Sequence, residues 1–434
     1  MSIRHLSHLF HPGSVALIGA TPRPHSVGAT ALANLKAGGF RGPIHLVNPK
    51  YRELDGQPCH ASVDDLPACP ELALICTPAP TVPGLIAALG RRGCRAAIVL
   101  SAGFEQQADA AGGSLRQAVL DASRPYPLRI LGPNCVGLIV PGIGLNASFA
   151  STMALPGKLA FASQSGALTT AVLDWSRSRQ IGFSYFISLG DSADVDLADV
   201  LDYLAGDPAT HAILLYVEAV RSGRKFMSAA RAAARNKPVL IVKAGRVPEG
   251  AKAAASHTGA LAGADDVYDA AIRRAGMLRV DSTEDLFDAV ETLARARPLN
   301  GERLGIVTNG GGAGVMATDA LVRAGGRLAV PDADILRQLD EVLPDVVPRQ
   351  PDRHRRRRAD RALRARAADP AGLPGHRRHV ADPRADGHRP QHGHRRGGCP
   401  GRARTAPAAV HELARRRRGG PGTADLPPSR HSDL

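Results

Sequence analysis

Short apolar runs recur along the chain, and each is followed by a stretch of helical character. The first run, S-V-A-L-I-G-A, covers residues 14–20 and precedes a helix-like segment at 27–35. Short strands that alternate with helices are typical of βαβ units and a parallel sheet. The further runs that we predict as strands cover residues 44–47, 72–76, 96–100 and 128–131. Together they predict a Rossmann-like domain over residues 1–140.

A second alternation of strands and helices starts after a segment punctuated by Gly and Pro. This segment, residues 141–156, is interpreted as a linker, because Gly and Pro interrupt regular structure. The strands that we predict beyond it cover residues 158–162, 183–188, 212–217 and 238–243. They indicate a second α/β domain over residues 150–297. A truncated third α/β unit, residues 300–346, opens with a strand at 303–308, a Gly-rich turn and a helix that ends at Arg323.

The net charge of +15 is concentrated at the C-terminus. Residues 348–434 contain 22 Arg, no Lys and 8 acidic residues, so they carry +14 and the first 347 residues carry only +1. The segment also lacks Ile, Phe, Tyr, Trp, Met and Asn, and such a composition cannot form an apolar core. A basic arm for nucleic acid would usually mix Lys with Arg and carry aromatic side chains for stacking. We therefore predict a disordered tail over residues 347–434 and no specific nucleic-acid partner.

Translation out of frame accounts for this tail, because GC-rich codons read in the wrong phase yield Arg, Ala, Pro, Gly and His. Permissible codons for residues 346–390, reread one phase over, give N-P-T-D-I-V-G-D-A and, further on, L-L-I-H-A-P-T-A-I-A-P. The reread strings restore the patterns of an amphipathic helix, a buried strand and a turn. We interpret the chain from about residue 346 as frameshifted and give its charge no functional weight.

The remaining composition is that of a cytoplasmic enzyme. No run of about 18 apolar residues occurs, and residues 1–10 lack the pattern of a secretory signal. The cysteines show neither a C-x-x-C pair nor a His cluster at metal-ligand spacing. They are Cys59, Cys69, Cys76, Cys94, Cys135 and Cys399. We expect reduced and mostly buried thiols, no metal site, and a soluble protein that does not bind membranes.

The turn after the first predicted strand is a candidate phosphate site. It has the sequence G-A-T-P-R-P-H-S-V-G from Gly19 to Gly28, which is not the G-x-G-x-x-G dinucleotide fingerprint. A turn from strand to helix still offers free backbone N–H groups and the positive end of a helix dipole to a phosphate. The second strand ends in N-P-K, and Lys50 lies where NAD-binding folds place an acidic residue. A cation there favours a phosphorylated ribose, although a solvated surface lysine explains the residue equally well.

Further polar residues follow the later strands of the first domain. Thr77 and Pro78 follow one strand, Ser101 the next, and Asn134 and Cys135 lie beyond the last. The ligand crevice of an open parallel sheet lies outside the carboxyl ends of its strands, so this placement is the expected one for a binding site. Ordinary turn chemistry explains the Gly and Pro residues in these segments as well.

These motifs make the chain resemble the NDP-forming acyl-CoA synthetases, a family that includes ADP-forming acetate–CoA ligase and is related to succinyl-CoA synthetase. The similarity is to the α-subunit or N-terminal portion and covers about 300 residues. The segments that carry it are G-A-T-P-R-P-H-S-V-G, V-N-P-K, C-T-P-A, S-A-G-F, G-P-N-C-V-G, S-Q-S-G-A, S-H-T-G-A-L-A-G and N-G-G-G-A-G-V-M-A-T-D. The resemblance implies a CoA-binding Rossmann-like domain followed by two flavodoxin-like domains, the second of them incomplete.

The activity implied by the resemblance is reversible conversion of acyl-CoA, phosphate and NDP into free acid, CoA and NTP. The family forms an acyl phosphate and passes its phosphoryl group to a histidine, which matches His257 here. A neutral imidazole is a competent nucleophile near pH 7. Glu218 matches the family acid that orients this histidine, although a solvated Glu at a strand end is the alternative. The resemblance further implies an ATP-grasp subunit or domain for the Mg-nucleotide, a small carboxylic acid as substrate, and an oligomer.

The predicted ligands fall into two groups. The turns at S-Q-S-G-A and G-G-G-A-G each lie between a strand and a helix, and resemble phosphate nests that the family directs at the phosphohistidine. The phosphate-binding candidates are Ser163, Ser165, Gly166, Gly311 and Gly312. The CoA-binding candidates are Gly19, Ala20, Thr21, Ser26, Val27, Gly28, Pro49, Lys50, Thr77, Pro78, Ser101, Asn134 and Cys135.

Two other functions stay open at this stage. The chain could bind CoA or acyl-CoA without turnover, as the synthetase-like part of a protein lysine acetyltransferase would. It could also be a nicotinamide dehydrogenase, although the dinucleotide fingerprint and the acidic ribose ligand are both missing. The presence of His257 and Glu218 favours the ligase. The acyl group and the choice between ADP and GDP are not determined by these residues.

Overall fold

The computed structural model describes residues 3–104, 113–250, 252, 263–295, 301–308 and 310–342. The chain divides into two units, Met1–Pro298 and Leu299–Leu434. Among the described residues, the first unit contains two seven-stranded sheets and the second contains a two-stranded sheet. Both large sheets are mostly parallel, which confirms the predicted α/β class. The predicted C-terminal tail lies outside the described residues.

The first sheet positions the predicted CoA-binding segments. Its strands, in chain order, are β1 (Val15–Ile18), β2 (Ile44–Val47), β3 (Glu53–Leu54), β4 (Gln57–His60), β5 (Leu72–Ile75), β6 (Ala96–Val99) and β7 (Arg129–Leu131). Across the sheet the order is β3-β4-β2-β1-β5-β6-β7, and only β3 runs antiparallel to its neighbour. The order reverses at β1, which pairs with β2 on one side and β5 on the other. A crevice therefore opens beyond the carboxyl end of β1.

Helices pack around this sheet and account for its apolar strands. They are α1 (Leu6–Phe10), α2 (Val27–Ala37), α3 (Val82–Arg91) and α4 (Leu115–Ser123). Every residue of β1, β5 and β6 is buried, as expected for parallel strands covered on both faces. The Ser26 hydroxyl caps α2 by accepting a hydrogen bond from the Ala29 N–H at 3.3 Å. This cap fixes the start of the helix next to β1.

The second sheet carries the predicted relay residues. Its strands are β8 (Gly137–Val140), β9 (Leu145–Ser148), β10 (Leu155–Ser163), β11 (Gly182–Ser188), β12 (Ala212–Val217), β13 (Val239–Lys243) and β14 (Leu278–Val280), in the order β14-β13-β12-β10-β11-β8-β9. The helices are α5 (Gly166–Ser178), α6 (Leu197–Gly206), α7 (Gly223–Asn236), α8 (Asp265–Ala275) and α9 (Thr283–Arg295). Strands β10 to β14 run parallel, whereas β8 is antiparallel to both β11 and β9.

The predicted linker at residues 141–156 is wrong for most of its length. Pro141–Ile143 forms a 3₁₀ turn, and Gly144 with φ +69° completes a hairpin between β8 and β9. Leu145 and Ala147 on β9 are fully buried, so the apolar residues of this segment form a strand and its Gly and Pro form the turn. The start of β10 at Leu155 also lies within the predicted linker. The hairpin belongs to the second sheet, although β8 directly follows the last strand of the first sheet.

The hairpin also contacts a helix of the first sheet. The Asn34 side chain on α2 donates hydrogen bonds to the carbonyls of Ser148 and Ala150, both at 2.9 Å. A Cβ atom placed on Gly38 would lie 2.5 Å from the Gly144 carbonyl oxygen, so the backbones approach closely there. The two sheets of the first unit are therefore joined by a shared, packed element.

The described part of the second unit is small. It consists of β15 (Arg303–Leu304) and β16 (Arg327–Leu328), which pair in parallel, with α10 (Gly311–Arg323) and α11 (Ala333–Val342). The helix predicted to end at Arg323 is confirmed, whereas the strand predicted at 303–308 spans only two residues. Val315, Met316 and Val330 are 62%, 74% and 86% exposed. The described residues of this unit therefore leave large apolar side chains uncovered.

Candidate functional site

A cleft of about 750 Å³ lies in the first unit, where strands of both sheets end. It brings together predicted CoA-binding and phosphate-binding residues that are far apart in the sequence. The predicted residues that line it are Val27, Thr77, Pro78, Ser101, Asn134, Cys135, Ser165 and Gly166. The first six were predicted for CoA and the last two for phosphate. A single cleft therefore contains candidates for both ligands.

The first βα turn borders this cleft through a close backbone contact. Gly19 has φ +93°, and a Cβ atom placed on Gly28 would lie 2.2 Å from the Gly19 carbonyl oxygen. Glycine at both positions therefore allows the turn to fold tightly against the start of α2. Among the residues of this turn, Val27 lines the cleft. The other candidates of the turn, Gly19, Ala20, Thr21, Ser26 and Gly28, are not among the lining residues.

The N-P-K turn after β2 is linked to the first βα turn by a residue that the sequence prediction missed. The Asn48 side-chain amide donates to the Ala20 carbonyl at 2.7 Å, and its oxygen accepts from the Lys50 N–H at 2.9 Å. Pro49 and Lys50 do not line the cleft, and the Lys50 side chain is exposed. Asn48 thus holds the lysine backbone beside the turn while the ammonium group faces solvent.

The ends of β5 and β6 are held together by side chains. The Ser101 hydroxyl donates to the Thr77 carbonyl, and the Thr81 hydroxyl donates to the Thr77 hydroxyl at 2.7 Å. The Asn134 N–H in turn donates to the Ser101 carbonyl at 2.9 Å. These contacts connect three strand ends and give the wall of the cleft a fixed shape.

Asn134 connects the wall of the cleft to the loop that follows β11. Asn134 has φ +56°, a conformation that Asn tolerates better than most residues, and its amide donates to the Asp191 carboxylate at 3.1 Å.

Burial raises the pKa of the Cys135 thiol far above its ordinary value and that of Cys76 to about 12. Both thiols face the cleft region in the protonated form and are poor nucleophiles.

The S-Q-S-G-A turn presents the start of α5 to the cleft. The Ser165 hydroxyl caps this helix by accepting from the Leu168 N–H at 3.3 Å. Ser163 is fully buried, and its hydroxyl accepts from the Ser165 N–H and donates to the Ser165 carbonyl. Ser163 therefore shapes the turn from beneath, whereas Ser165 and Gly166 line the cleft. The N-terminus of a 13-residue helix at this place favours an anion.

Glu218 follows β12 directly and is only 5% exposed. This burial rules out the alternative of a solvated glutamate at a strand end. Its backbone N–H donates to the Gln164 side-chain oxygen at 2.7 Å.

On the adjacent strand, Lys243 is 2% exposed, and its ammonium group lies 4.6 Å from the centre of the Tyr268 ring. Burial lowers the pKa of Lys243, and the nearby Glu218 and Asp265 carboxylates oppose this effect.

Several residues of the cleft were not among the predicted ligands. Gln164, Asp191 and Arg221 line it, together with Phe149 and Thr170. Gln164 lies inside a motif that the sequence analysis identified, so its position was available as a signal. Asp191 and Arg221 lie outside all of the quoted motifs, so no signal in the sequence pointed to them.

Two predicted parts of the site cannot be compared with this cleft. His257 lies outside the described residues. Gly311 and Gly312 begin α10 in the second unit, where the Thr308 hydroxyl oxygen accepts from the Gly310 N–H at 3.0 Å. Gly311 and Gly312 are therefore the first residues of a helix, and their role in phosphate binding stays a prediction.

Neither a metal-binding cluster nor a membrane-spanning helix is found among the described residues. Within them, no group of three or more His, Cys, Asp or Glu side chains is arranged to hold a metal ion. No helix in the same part of the chain is long and apolar enough to span a bilayer.

Two known domain families match the first unit. Residues 13–141 match the family described as a CoA binding domain, and residues 156–293 match the succinyl-CoA ligase like flavodoxin domain. These ranges correspond to the first and the second sheet, except that β8 falls within the first range and β9 lies between the two ranges.

The relatives with known names include ADP-forming acetate–CoA ligases. The chain is 44% identical over 339 residues to acetate–CoA ligase [ADP-forming] I of Archaeoglobus fulgidus, and the match covers 78% of this chain and 49% of the relative. It is 41% identical to the α-subunit of acetate–CoA ligase [ADP-forming] I of Pyrococcus furiosus, with 74% of this chain and 70% of that subunit covered. The chain thus spans about half the length of the A. fulgidus relative.

A solved structure shares the fold. It is the dinucleotide forming acetyl-coenzyme A synthetase 1 of Ca. Korarchaeum cryptofilum, in complex with phosphate and ADP. The TM-score is 0.74 at 36% sequence identity, and the alignment covers 79% of this chain and 73% of the other. The similarity extends well beyond either of the two domain families.

Proposed function

Because the chain belongs to the ADP-forming acetate–CoA ligase family, the NDP-forming acyl-CoA synthetases, we propose that it supplies the CoA-binding and histidine-phosphorelay half of such a ligase. The complete reaction converts acyl-CoA, phosphate and NDP into free acid, CoA and NTP. The observation that carries the proposal is the cleft in which CoA candidates such as Thr77 and Asn134 meet the phosphate candidates Ser165 and Gly166.

The proposed division of labour follows the two sheets and the second unit. Residues 1–140 bind CoA, residues 150–297 form the phosphohistidine domain, and residues 300–346 form part of a second flavodoxin-like domain. The boundary near residue 140 needs adjustment, because the β8–β9 hairpin belongs to the second sheet. The P. furiosus relative is named as a subunit, which supports a partner polypeptide for the present chain.

The first chemical step takes place where CoA and phosphate meet. A phosphate oxygen attacks the thioester carbonyl carbon, the carbon–sulfur bond breaks, and the sulfur leaves as the CoA thiol after taking up the proton that phosphate releases. Backbone N–H groups at the start of α5, next to Ser165 and Gly166, hold the phosphate anion. The neutral thiols of Cys76 and Cys135 do not compete with phosphate for the thioester.

The second step moves the phosphoryl group onto His257. A ring nitrogen attacks the phosphorus atom of the acyl phosphate, the bond between phosphorus and the acyl oxygen breaks, and the free carboxylate leaves. Glu218 accepts a hydrogen bond from the other ring nitrogen and so fixes the tautomer that can attack. The low exposure of Glu218 supports this role, because a carboxylate shielded from water interacts more strongly with a neighbouring ring N–H than an exposed one does.

The final transfer needs a nucleotide site on another module. We propose that an ATP-grasp subunit or domain binds the Mg-nucleotide and takes the phosphoryl group from His257. A small carboxylic acid is the other substrate, and we expect the assembly to be an oligomer in the cytoplasm.

A CoA-binding module without turnover is the competing function. Both functions account for the residues that line the cleft. Only the ligase assigns a catalytic role to the start of α5 at Ser165 and to the buried Glu218. A nicotinamide dehydrogenase is not supported by any of the named relatives given above.

Transfer of labelled phosphate to the protein tests the proposal. The full chain is mixed with acetyl-CoA and radiolabelled phosphate, and we expect an acid-labile, base-stable label on the protein. His257→Asn keeps a similar size but has no ring nitrogen, so the label should disappear while CoA binding persists. An unlabelled wild-type protein that still binds CoA, in the presence of a matching ATP-grasp subunit, would leave only the CoA-binding module.

A further inference from the structure

The loop that carries Glu218 is held by side chains through three consecutive backbone N–H groups. The Gln164 side-chain oxygen accepts from the N–H groups of Glu218 and Ala219, at 2.7 and 3.1 Å. The Gln164 amide nitrogen donates to the Ala219 carbonyl at 2.9 Å. The Tyr268 hydroxyl on α8 accepts from the Val220 N–H at 3.1 Å. Residues from two different elements therefore fix this short loop.

Gln164 extends the pairing between β10 and β12 by one more backbone hydrogen bond. β10 and β12 pair in parallel up to Ser163 and Tyr216, and the Gln164 N–H still donates to the Tyr216 carbonyl at 3.3 Å. Beyond this point the two backbones end their pairing, and the side-chain amide of Gln164 supplies the donor and acceptor that a peptide group would have supplied. A glutamine can do this because its amide has the same hydrogen-bonding groups as the backbone.

The same residue lies within the phosphate turn. Its neighbours Ser163 and Ser165 form the turn that opens α5, and Ser165 lines the cleft. Gln164 and Ala219 line the cleft as well. Any movement of the turn relative to the Glu218 loop would break hydrogen bonds of Gln164. The side chain therefore couples the position of the proposed phosphate site to that of the proposed acid.

We propose that Gln164 is a positioning residue that fixes the Glu218 carboxylate relative to the phosphate turn, with Tyr268 supporting the same loop from the opposite side. This inference rests on the proposed function, since Glu218 needs a fixed position only if it orients a histidine. Tyr268 lies on α8, which begins at Asp265, shortly after His257 in the sequence. The loop is thus anchored both to the phosphate turn and to the helix that follows the relay segment.

A division of roles between the two loops follows from the hydrogen bonds. The N–H groups of residues 218–220 are already used by Gln164 and Tyr268, so they are not available to bind phosphate. We therefore assign anion binding to the backbone N–H groups at the start of α5, whereas the Glu218 loop contributes its carboxylate. This separation keeps a buried negative charge and a bound anion on different backbone segments, which limits their repulsion.

The test compares two steps in the full chain. Release of the CoA thiol from acetyl-CoA in the presence of phosphate reports the first step, and radiolabel on the protein reports transfer to histidine. Gln164→Met has a similar volume but none of the three hydrogen bonds. We expect it to slow the labelling by roughly 10- to 100-fold, the range for a displaced catalytic group, and to slow thiol release by much less, because Ser163 still shapes the phosphate turn.

Three further variants rank the contacts, provide a control and replace Gln164→Met if it does not fold. Tyr268→Phe removes one hydrogen bond and keeps the ring beside Lys243, so it should slow labelling by less than Gln164→Met does. Gln117→Met, an exposed position on α4 whose amide contacts Asp121, should label at the wild-type rate. Gln164→Glu keeps an acceptor for the two N–H groups but loses the bond to the Ala219 carbonyl and adds a negative charge to the Glu218 loop, so it should also slow labelling if Gln164→Met does not fold.

The outcomes separate this inference from the function on which it rests. Wild-type labelling rates in the Gln164 and Tyr268 variants, or an equal loss of both steps, would overturn the positioning role while leaving the relay intact. Absence of label in the wild-type protein itself would overturn the relay and the positioning role together.

Discussion

At the scale of single residues, Lys50 is the one that bears most directly on ligand choice. Its backbone is tied to the first βα turn through Asn48, and its side chain is exposed beside that turn. A cation there can pair with the ribose phosphate of CoA. We expect the protein to bind CoA more tightly than dephospho-CoA by roughly 2- to 30-fold, the range for an exposed charged contact. Lys50→Ala should remove the difference in calorimetric titrations.

A matched lysine provides the control for this prediction. Lys158 is exposed on β10 and is not a lining residue of the cleft, so Lys158→Ala should keep the preference for CoA. Equal affinities of the wild-type protein for CoA and dephospho-CoA would remove the proposed role of Lys50.

Glu218 offers a second test at the residue scale. Glu218→Gln keeps the shape of the side chain but loses the charge that stabilises an oriented imidazole. We expect the rate of phosphate labelling to fall by roughly 10² to 10⁴, the range for losing an acid–base partner, without reaching zero. Glu284→Gln, an exposed change on α9, should have no effect on labelling. An unchanged rate in Glu218→Gln would assign the orienting role to another group.

At the scale of elements, the contact between Gly28 and Gly19 determines how closely α2 approaches the first βα turn. A Cβ atom at position 28 would lie 2.2 Å from the Gly19 carbonyl oxygen, so Gly28→Ala has to displace the helix or the turn. We expect a loss of stability of about 1–3 kcal/mol, as for other overpacked sites, together with weaker CoA binding. Thermal unfolding and calorimetric titration measure the two effects.

A second helical glycine distinguishes crowding from helix propensity. Gly84 lies on α3, and a Cβ atom there would meet nothing within 4 Å. Gly84→Ala should therefore stabilise the protein by about 0.5–1 kcal/mol, the helix propensity difference between the two residues. A similar loss of stability in both variants would show that crowding at Gly28 is not the cause.

The elements differ in how far the sequence alone could predict them. β1, β5 and β6 were predicted almost to the residue, because strands covered on both faces are continuous apolar runs that end at polar turns. The β8–β9 hairpin was missed, because its Gly and Pro are equally typical of a linker. Side chains that act through hydrogen bonds, such as Asn48 and Gln164, have no periodicity to reveal them. Their partners are distant in the sequence and become neighbours only when the sheets form.

At the scale of the whole molecule, the C-terminal segment offers the simplest prediction. Residues 348–434 contain no Ile, Phe, Tyr, Trp or Met, so they have too few large apolar side chains to add to a core. A chain that ends at residue 347 should therefore bind CoA with unchanged affinity in calorimetric titrations. It should also lose any salt-dependent attraction to nucleic acid, because the Arg residues responsible are removed. Loss of folding on this truncation would show that the segment is structural.

The hairpin shared between the two sheets has a thermodynamic consequence for the first unit. Separation of the sheets would break the bonds from Asn34 and expose Leu145 and Ala147, so the sheets should unfold as one cooperative block rather than in sequence. A ligand that binds the cleft of the folded protein then stabilises both sheets equally, because neither sheet unfolds without the other. CoA at 100 times its dissociation constant should add about 2.7 kcal/mol to the stability of the block. Hydrogen exchange should slow by a similar factor in β12 and in β1, although only β1 lies in the sheet that is proposed to bind CoA.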